Sequence, residues 1–117
     1  MFQGLHFEPV TLPASSFVLR AEVGAFVEAE LSSVSLRNAD FNAGDSAQFS
    51  QKLGQRGWIG MTWPVEYGGQ ARSFLDRYVV TEELLAAGAP VGAHWIADRQ
   101  SGTQLLKFGS EGQRQAY

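Results

Sequence analysis

Apolar residues recur along this chain at spacings of three and four, which is typical of helices, and no segment shows the alternation of a strand. The first helical segment is predicted from Ser16 to about Arg37, and Ser15 or Ser16 can cap its start. Residues 1–14, with two prolines and no clear period, are expected to be an extended lead-in. The apolar stripe of this first helix consists of Leu19, Val23, Phe26, Val27, Leu31 and Val34.

Turn-forming residues at 38–44 separate this helix from a second and shorter one. Asp45 or Ser46 can cap the second helix, and Gly57 supplies its end. Its apolar stripe consists of Phe49 and Leu53.

Residues 57–70 combine four glycines with two tryptophans, a tyrosine and a proline. Large aromatic side chains in a loop usually hold it against a core, so an ordered loop is predicted. Gly68 and Gly69 are not followed by Lys-Ser or Lys-Thr, as a phosphate-binding loop would require. Their predicted role is a tight turn with positive φ.

Ser73 is expected to cap a third helix that Gly88 and Pro90 end. A fourth helix is predicted from Val91 into the 100s, with Gly102 as a candidate break. The wide apolar face predicted for the third helix consists of Phe74, Leu75, Tyr78, Val79, Leu84 and Leu85.

Gly109 closes the fourth helical segment, and Ser110 opens a fifth helix within which the chain stops at Tyr117. The expectation is therefore an all-α bundle of four to five helices, truncated at its C-terminal end.

Composition excludes several classes of protein. The 117 residues carry a net charge of -3 without a basic run, which argues against nucleic-acid binding. The absence of cysteine removes disulfides, thiolate metal sites and thiol nucleophiles. Neither a signal peptide nor a membrane span is predicted, and a cytoplasmic location is expected.

Five segments together resemble the acyl-CoA dehydrogenase family. They are Gly57-Trp58, the stretch Trp63-Pro64-Val65-Glu66-Tyr67-Gly68-Gly69, and then residues 81–84, 94–100 and 105–111. Their order and spacing agree with the family's N-terminal domain, strongly over 57–117 and only by helix pattern over 16–56.

The resemblance implies that residues 1–117 are the helical N-terminal domain of a three-domain enzyme, with a middle β-domain and a C-terminal helical domain absent. Such enzymes bind FAD and oxidise acyl-CoA between its α and β carbons in lipid metabolism. The family's flavin-binding residues and catalytic glutamate lie beyond this segment, so no catalytic or cofactor-binding residue is assigned and the chain alone is predicted inactive. The implied partners are electron-transfer flavoprotein or a similar acceptor, and a homotetramer or two-subunit-type assembly.

The resemblance also implies that the helix at 91–101 forms one wall of the acyl pocket. Helical geometry places Ala93, Ile96, Ala97 and Gln100 on one face, where two alanines leave space. An ordinary helix-crossing face is the alternative interpretation. Ile96 stands where some family members carry an acidic residue, which makes the predicted pocket more apolar.

The polar residues of the same helix include the side-chain types of a catalytic triad, but their spacing argues against one. His94, Asp98 and Ser101 would compete for one helix surface, so they cannot form a triad, and a surface or domain-interface hydrogen bond is expected instead. Trp95 and Arg99 are spaced for a cation–π contact.

Glu82 and Glu83 are adjacent and point about 100° apart on a helix, so they cannot act as a paired acid and base. One is expected to be solvated and the other to contact the loop at Trp63-Pro64. His6 has no ligand partners nearby, and no metal site is predicted.

Two alternatives to the dehydrogenase remain open. Acyl-CoA oxidases and some flavin monooxygenases share the architecture, and this segment does not distinguish them. A non-catalytic helical module that binds a protein partner through its apolar faces is the other alternative.

Overall fold

The computed structural model describes residue 4, residues 6–31 and residues 44–117, and this part of the chain is all-α. Two segments, α4 (Gly92–Ile96) and α5 (Gly102–Phe108), are joined by a π-helical turn, Ala97–Ser101, into one continuous helix at 92–108. The predicted all-α bundle of four to five helices is confirmed, with five helices in the described residues. The α-helical segments are α1 (Ala14–Glu30), α2 (Ala47–Gln55), α3 (Phe74–Ala86), α4 (Gly92–Ile96), α5 (Gly102–Phe108) and α6 (Glu111–Ala116).

Helix α1 differs from its prediction at both ends. Pro13 is its N-cap and provides no side-chain hydrogen bond, because the proline ring carries no donor or acceptor; its φ of -65° and ψ of 157° are the extended dihedral angles typical of an N-cap. The predicted serine cap is wrong: Ser16 is fully buried inside the helix. The helix ends at Glu30 rather than Arg37, since Leu31 leaves helical dihedral angles and is itself buried. Residues 32–43, which include most of the predicted turn, lie outside the described part.

The other helix boundaries follow the predicted local signals. Ser46 and Ser73 cap α2 and α3 by accepting the backbone N–H groups of residues three positions later. Ser110 forms a reciprocal capping box with Gln113 at the start of α6. Gly57 and Gly88, with φ of 74° and 67°, follow the ends of α2 and α3.

The core lies where α1 packs along α3 and where the loop at residues 57–70, called the aromatic loop below, closes over α2. Phe26 of α1 is its aromatic centre, with ring centroids 5.3 Å from Trp58 and 5.6 Å from Phe49. Trp58 and Met61 are both buried, so the prediction of a loop held against the core is confirmed.

The buried face of α3 is narrower than predicted. Val79 and Leu84 are buried, whereas Phe74 and Tyr78 are 71% and 51% exposed. Val80, which the prediction omitted, is buried as well. Only one side of α3 meets α1 and the loop, so part of the apolar stripe stays uncovered.

Ion pairs tie α1 to its neighbours. Arg20 donates to Glu82 at 2.7 Å and also to Glu83, and Lys52 of α2 pairs with Glu30. The hydrogen bond from Arg20 lowers the pKa of Glu82. The expected contact between a glutamate of this pair and the Trp63-Pro64 loop is therefore wrong, because Arg20 binds both carboxylates.

Replacing Ser16 with alanine should leave the protein equally stable or raise its free energy of unfolding by about 1 kcal/mol. The Ser16 hydroxyl is buried and makes no hydrogen bond in the described part of the chain, so alanine loses nothing there. Chemical denaturation of Ser16→Ala measures this, with the exposed neighbour Ser15→Ala as control. A loss above about 1 kcal/mol would show that the hydroxyl is in fact bonded.

Candidate functional site

The site is built on a tryptophan that fits against three glycines. A Cβ atom added at Gly60 would lie 2.6 Å from the Trp63 ring, and one at Gly69 would lie 2.0 Å from the Trp63 carbonyl oxygen. A Cβ atom at Gly102, on the continuous helix, would lie 2.2 Å from the outer edge of the indole. Trp63 therefore contacts its own loop and the helix so closely that a Cβ atom at any of these positions would force its neighbours to move.

Backbone hydrogen bonds hold the loop in this shape. Ala71 donates to the Trp63 carbonyl at 2.9 Å, and Gly69 donates to the Pro64 carbonyl at 3.0 Å. Gly68 has φ of 84°, as the predicted tight turn requires. The same prediction is wrong for Gly69, which has no positive φ and instead lies against the Trp63 carbonyl. These hydrogen bonds thus hold the backbone on the C-terminal side of the indole.

Asp98 makes the second contact between the loop and the helix. Its side chain is 4% exposed, and its carboxylate accepts the Gly60 N–H at 2.8 Å and an Arg99 N–H at 3.2 Å. The prediction of a surface hydrogen bond for Asp98 is wrong, because the loop covers it. No local sequence signal indicates this role, since the partner lies 38 residues away.

Arg99 packs above the Trp95 ring at 4.0 Å, so the predicted cation–π pair is confirmed. Its guanidinium also donates to Thr81 of α3. Burial lowers the pKa of Arg99, an effect that the Asp98 carboxylate opposes.

A π-helical turn lies at the centre of the site. In it the Gly102 N–H donates to the Ala97 carbonyl, five residues earlier, which widens the helix at Ala97–Ser101. The predicted break at Gly102 is wrong: the helix continues to Phe108. Gly102 instead provides the space that Trp63 fills.

The four residues predicted from the resemblance lie together on an uncovered side of this helix. Ala93, Ile96, Ala97 and Gln100 are all exposed, and Ile96 is 51% exposed. We call these four residues the open face. The open face contains no charged side chain, and its one polar side chain is the amide of Gln100.

His94, Asp98 and Ser101 do not form a triad. His94 Nδ1 lies 2.8 Å from the Ser50 hydroxyl of α2, whereas Asp98 binds the loop and Ser101 is exposed. Burial lowers the pKa of His94; the Asp98 charge raises it and the Arg99 charge lowers it further. His94 therefore links α4 to α2, and its burial favours the neutral form of the ring.

The described residues hold no group of three or more His, Cys, Asp or Glu side chains positioned for a metal ion. None of their helices is both long and apolar enough to cross a membrane.

The family model for the acyl-CoA dehydrogenase N-terminal domain matches residues 16–117. The chain belongs to the acyl-CoA dehydrogenase family. The matched range contains every described helix except the first two residues of α1, so the open face and the residues that contact it from the loop all lie within this N-terminal domain.

Curated relatives of this acyl-CoA dehydrogenase domain match it over somewhat more than half of its length. Acyl-CoA dehydrogenase FadE26 of Mycobacterium tuberculosis is 33% identical over 66 residues, 56% of this chain and 16% of that protein. Mitochondrial isovaleryl-CoA dehydrogenase of Pongo abelii is 35% identical over 71 residues, 60% of this chain and 17% of that protein. A 3-sulfinopropanoyl-CoA desulfinase of Cupriavidus necator is 38% identical over 64 residues, 54% of this chain and 16% of that protein. The chain thus matches about a sixth of the length of these relatives.

Solved structures share the fold of this domain over nearly its whole length. The Tcur3481-Tcur3483 steroid ACAD superposes with a TM-score of 0.76 at 32% identity, covering 94% of this chain and 29% of that chain. The ChsE4-ChsE5 complex from Mycobacterium tuberculosis superposes with a TM-score of 0.72 at 25% identity, covering 94% of this chain and 28% of that chain.

The stability of this acyl-CoA dehydrogenase domain should fall as the pH drops below the ordinary histidine pKa of 6.5. His94 has a lowered pKa when folded, so in that range the unfolded chain binds more protons and is favoured. His94→Gln should weaken this dependence between about pH 7 and about pH 5, measured by denaturation at each pH. The exposed His6→Gln is the matched control, and equal pH slopes for wild type and His94→Gln would contradict the assignment.

Proposed function

We propose that this domain is the N-terminal part of an FAD-dependent acyl-CoA dehydrogenase that oxidises an acyl-CoA thioester at its α and β carbons. The open face supplies one wall of the acyl pocket in this proposal. The carrying observation is that four small or uncharged side chains stay exposed on a helix whose other side is closely packed. A face that is apolar and uncovered in an isolated domain suits a ligand or a neighbouring domain.

The open face fits an acyl group better than it fits a flavin. Its two alanines leave room for aliphatic carbon, and Ile96 adds apolar surface. It has no cationic side chain for the phosphates of FAD and no carboxylate to take a proton. FAD, when bound in the complete protein, would supply the hydride acceptor, and its binding residues and the catalytic base are assigned to the remainder of that protein.

The names of the relatives support a range of acyl groups. They include isovaleryl-CoA, a sulfinopropanoyl-CoA and a steroid substrate, so the same fold serves thioesters of very different size. A bulky acyl group of the steroid kind is the substrate class to test first. Its support is the steroid ACAD, which matches 94% of this chain at 32% identity.

Assembly and location complete the proposal. A two-subunit-type oligomer is supported by the ChsE4-ChsE5 complex, and a homotetramer is the alternative. Electron-transfer flavoprotein or a similar acceptor would reoxidise the flavin, in the cytoplasm. An acyl-CoA oxidase or flavin monooxygenase would use the open face in the same way, whereas a non-catalytic interaction module would cover it with a partner protein.

Filling the open face should change acyl specificity in the complete protein that contains this domain. Ala93→Phe and Ala97→Phe should lower kcat/KM for palmitoyl-CoA relative to butyryl-CoA by about tenfold or more, since the aromatic ring occupies the space of the longer chain. Ala25→Phe, on the exposed side of α1, is the matched control. An unchanged chain-length profile would mean that this face only packs against a neighbouring helix.

The isolated 117-residue chain should be helical, weakly stable, prone to self-association and free of flavin. Its exposed apolar side chains include Phe74 and Phe108, 71% and 73% exposed, which lack a cover in the isolated domain. Circular dichroism, light scattering and a visible spectrum measure these properties. A flavin chromophore that co-purifies with the chain would contradict the proposal, and a stable, soluble monomer would favour the interaction module.

A further inference from the structure

We infer that Trp63 and Gly102 are positioning residues that set the depth of the acyl pocket through the π-helical turn. The inference rests on the proposed function of the open face, because it assigns residues behind that face to control of its position.

Gly102 connects the packing of Trp63 to the open face, because it lies between the Trp63 ring and the Ala97 carbonyl. The Cβ atom of a substituted Gly102 would lie 2.2 Å from the Trp63 ring and also 2.9 Å from the Ala97 carbonyl oxygen. That carbonyl accepts the Gly102 N–H and closes the π turn. Gly102 is thus in contact with the loop on one side and with the backbone of a proposed pocket residue on the other.

A second contact fixes the same side of the helix one turn earlier. Asp98 is buried and accepts the Gly60 N–H at 2.8 Å, and Gly60 itself packs under the Trp63 ring. The loop therefore holds the helix at Asp98 and at Gly102, on the side that the exposed open-face residues leave free. These two contacts on one side oppose both rotation of the helix about its axis and sliding of the helix along the loop.

Half of the open face belongs to the π turn. Ala97 and Gln100 lie within Ala97–Ser101, where the Gly102 N–H bonds to the Ala97 carbonyl five residues earlier instead of four. Packed interiors respond to a change of volume by shifting neighbouring groups. A change of volume between Trp63 and Gly102 is therefore expected to move these two residues rather than be absorbed by the loop, which its own hydrogen bonds hold in place.

Two substitutions act on this contact in opposite directions. Gly102→Ala adds a methyl group that pushes the helix away from the loop and toward the acyl group. Trp63→Phe removes the outer edge of the indole, so that the helix can settle toward the loop and deepen the pocket. The double variant, Trp63→Phe with Gly102→Ala, restores the filled volume.

The experiment measures acyl preference in the complete, flavin-containing protein. The kcat/KM values and the dissociation constants, from the flavin absorbance change on binding, are determined for butyryl-CoA, octanoyl-CoA, palmitoyl-CoA and a steroid acyl-CoA. Thermal unfolding is recorded in parallel. Gly24→Ala in α1, where an added Cβ meets nothing within 4 Å, is the matched glycine control.

The preference for the larger over the smaller acyl group should fall about tenfold in Gly102→Ala and rise by a similar factor in Trp63→Phe. It should return to within about twofold of wild type in the double variant, and it should not change in Gly24→Ala. A merely structural role would lower stability and turnover for all thioesters together and leave their ratios unchanged.

Two outcomes would overturn the inference. If Ala97→Phe alters the acyl profile but Trp63→Phe and the double variant do not, the open face lines the pocket and its position does not depend on Trp63. If both substitutions shift the ratio in the same direction, the effect is general disruption rather than positioning. If Ala93→Phe and Ala97→Phe also leave the profile unchanged, the proposed function itself fails. Should Gly102→Ala not fold, Trp63→Phe and the double variant decide the question in the same way.

Discussion

The close packing of Trp63 against Gly60, Gly69 and Gly102 is the constraint on which the rest of the site depends. An indole ring buries a large apolar area, and here it does so against backbone atoms that only glycine exposes so closely. The contact joins the aromatic loop to the continuous helix without any direct contribution from the main core. The hydrogen bond from Gly60 to Asp98 adds a directional component, so that the helix is fixed in rotation as well as in distance.

This constraint explains why the open face stays uncovered. The helix directs Asp98, Trp95 and Gly102 toward the loop and α3, and its opposite side has no partner among the described residues. Arg99 strengthens the packed side by stacking on Trp95 and donating to Thr81. The domain thus presents an apolar, uncharged strip on a rigid support, which is the arrangement that a binding wall requires.

Two physical causes explain the corrections to the predictions for Ser16 and for the Glu82–Glu83 pair. Ser16 carries the side chain of a helix cap but is buried, because Pro13 starts the helix earlier. One of Glu82 and Glu83 is expected to be solvated and the other to contact the loop at Trp63-Pro64, but Arg20 on another helix binds both. For the glutamates a residue from a distant part of the chain decides the role, and for Ser16 a shift of the helix start decides it. The neighbouring sequence alone is compatible with either role in both cases.

The sequence by itself determined the helical class, the caps at Ser73 and Ser110, the two candidates Asp45 and Ser46 for the cap of α2, and the grouping of Ala93, Ile96, Ala97 and Gln100 on one face. These features depend on residues within about one or two turns of one another, and periodicity and side-chain chemistry specify such neighbours. Only the tertiary structure decided that Asp98 is buried, that Gly102 receives an indole instead of ending a helix, and that the helix contains a π turn. These depend on contacts between residues about 40 positions apart, and local spacing carries no information about which of two distant surfaces will meet.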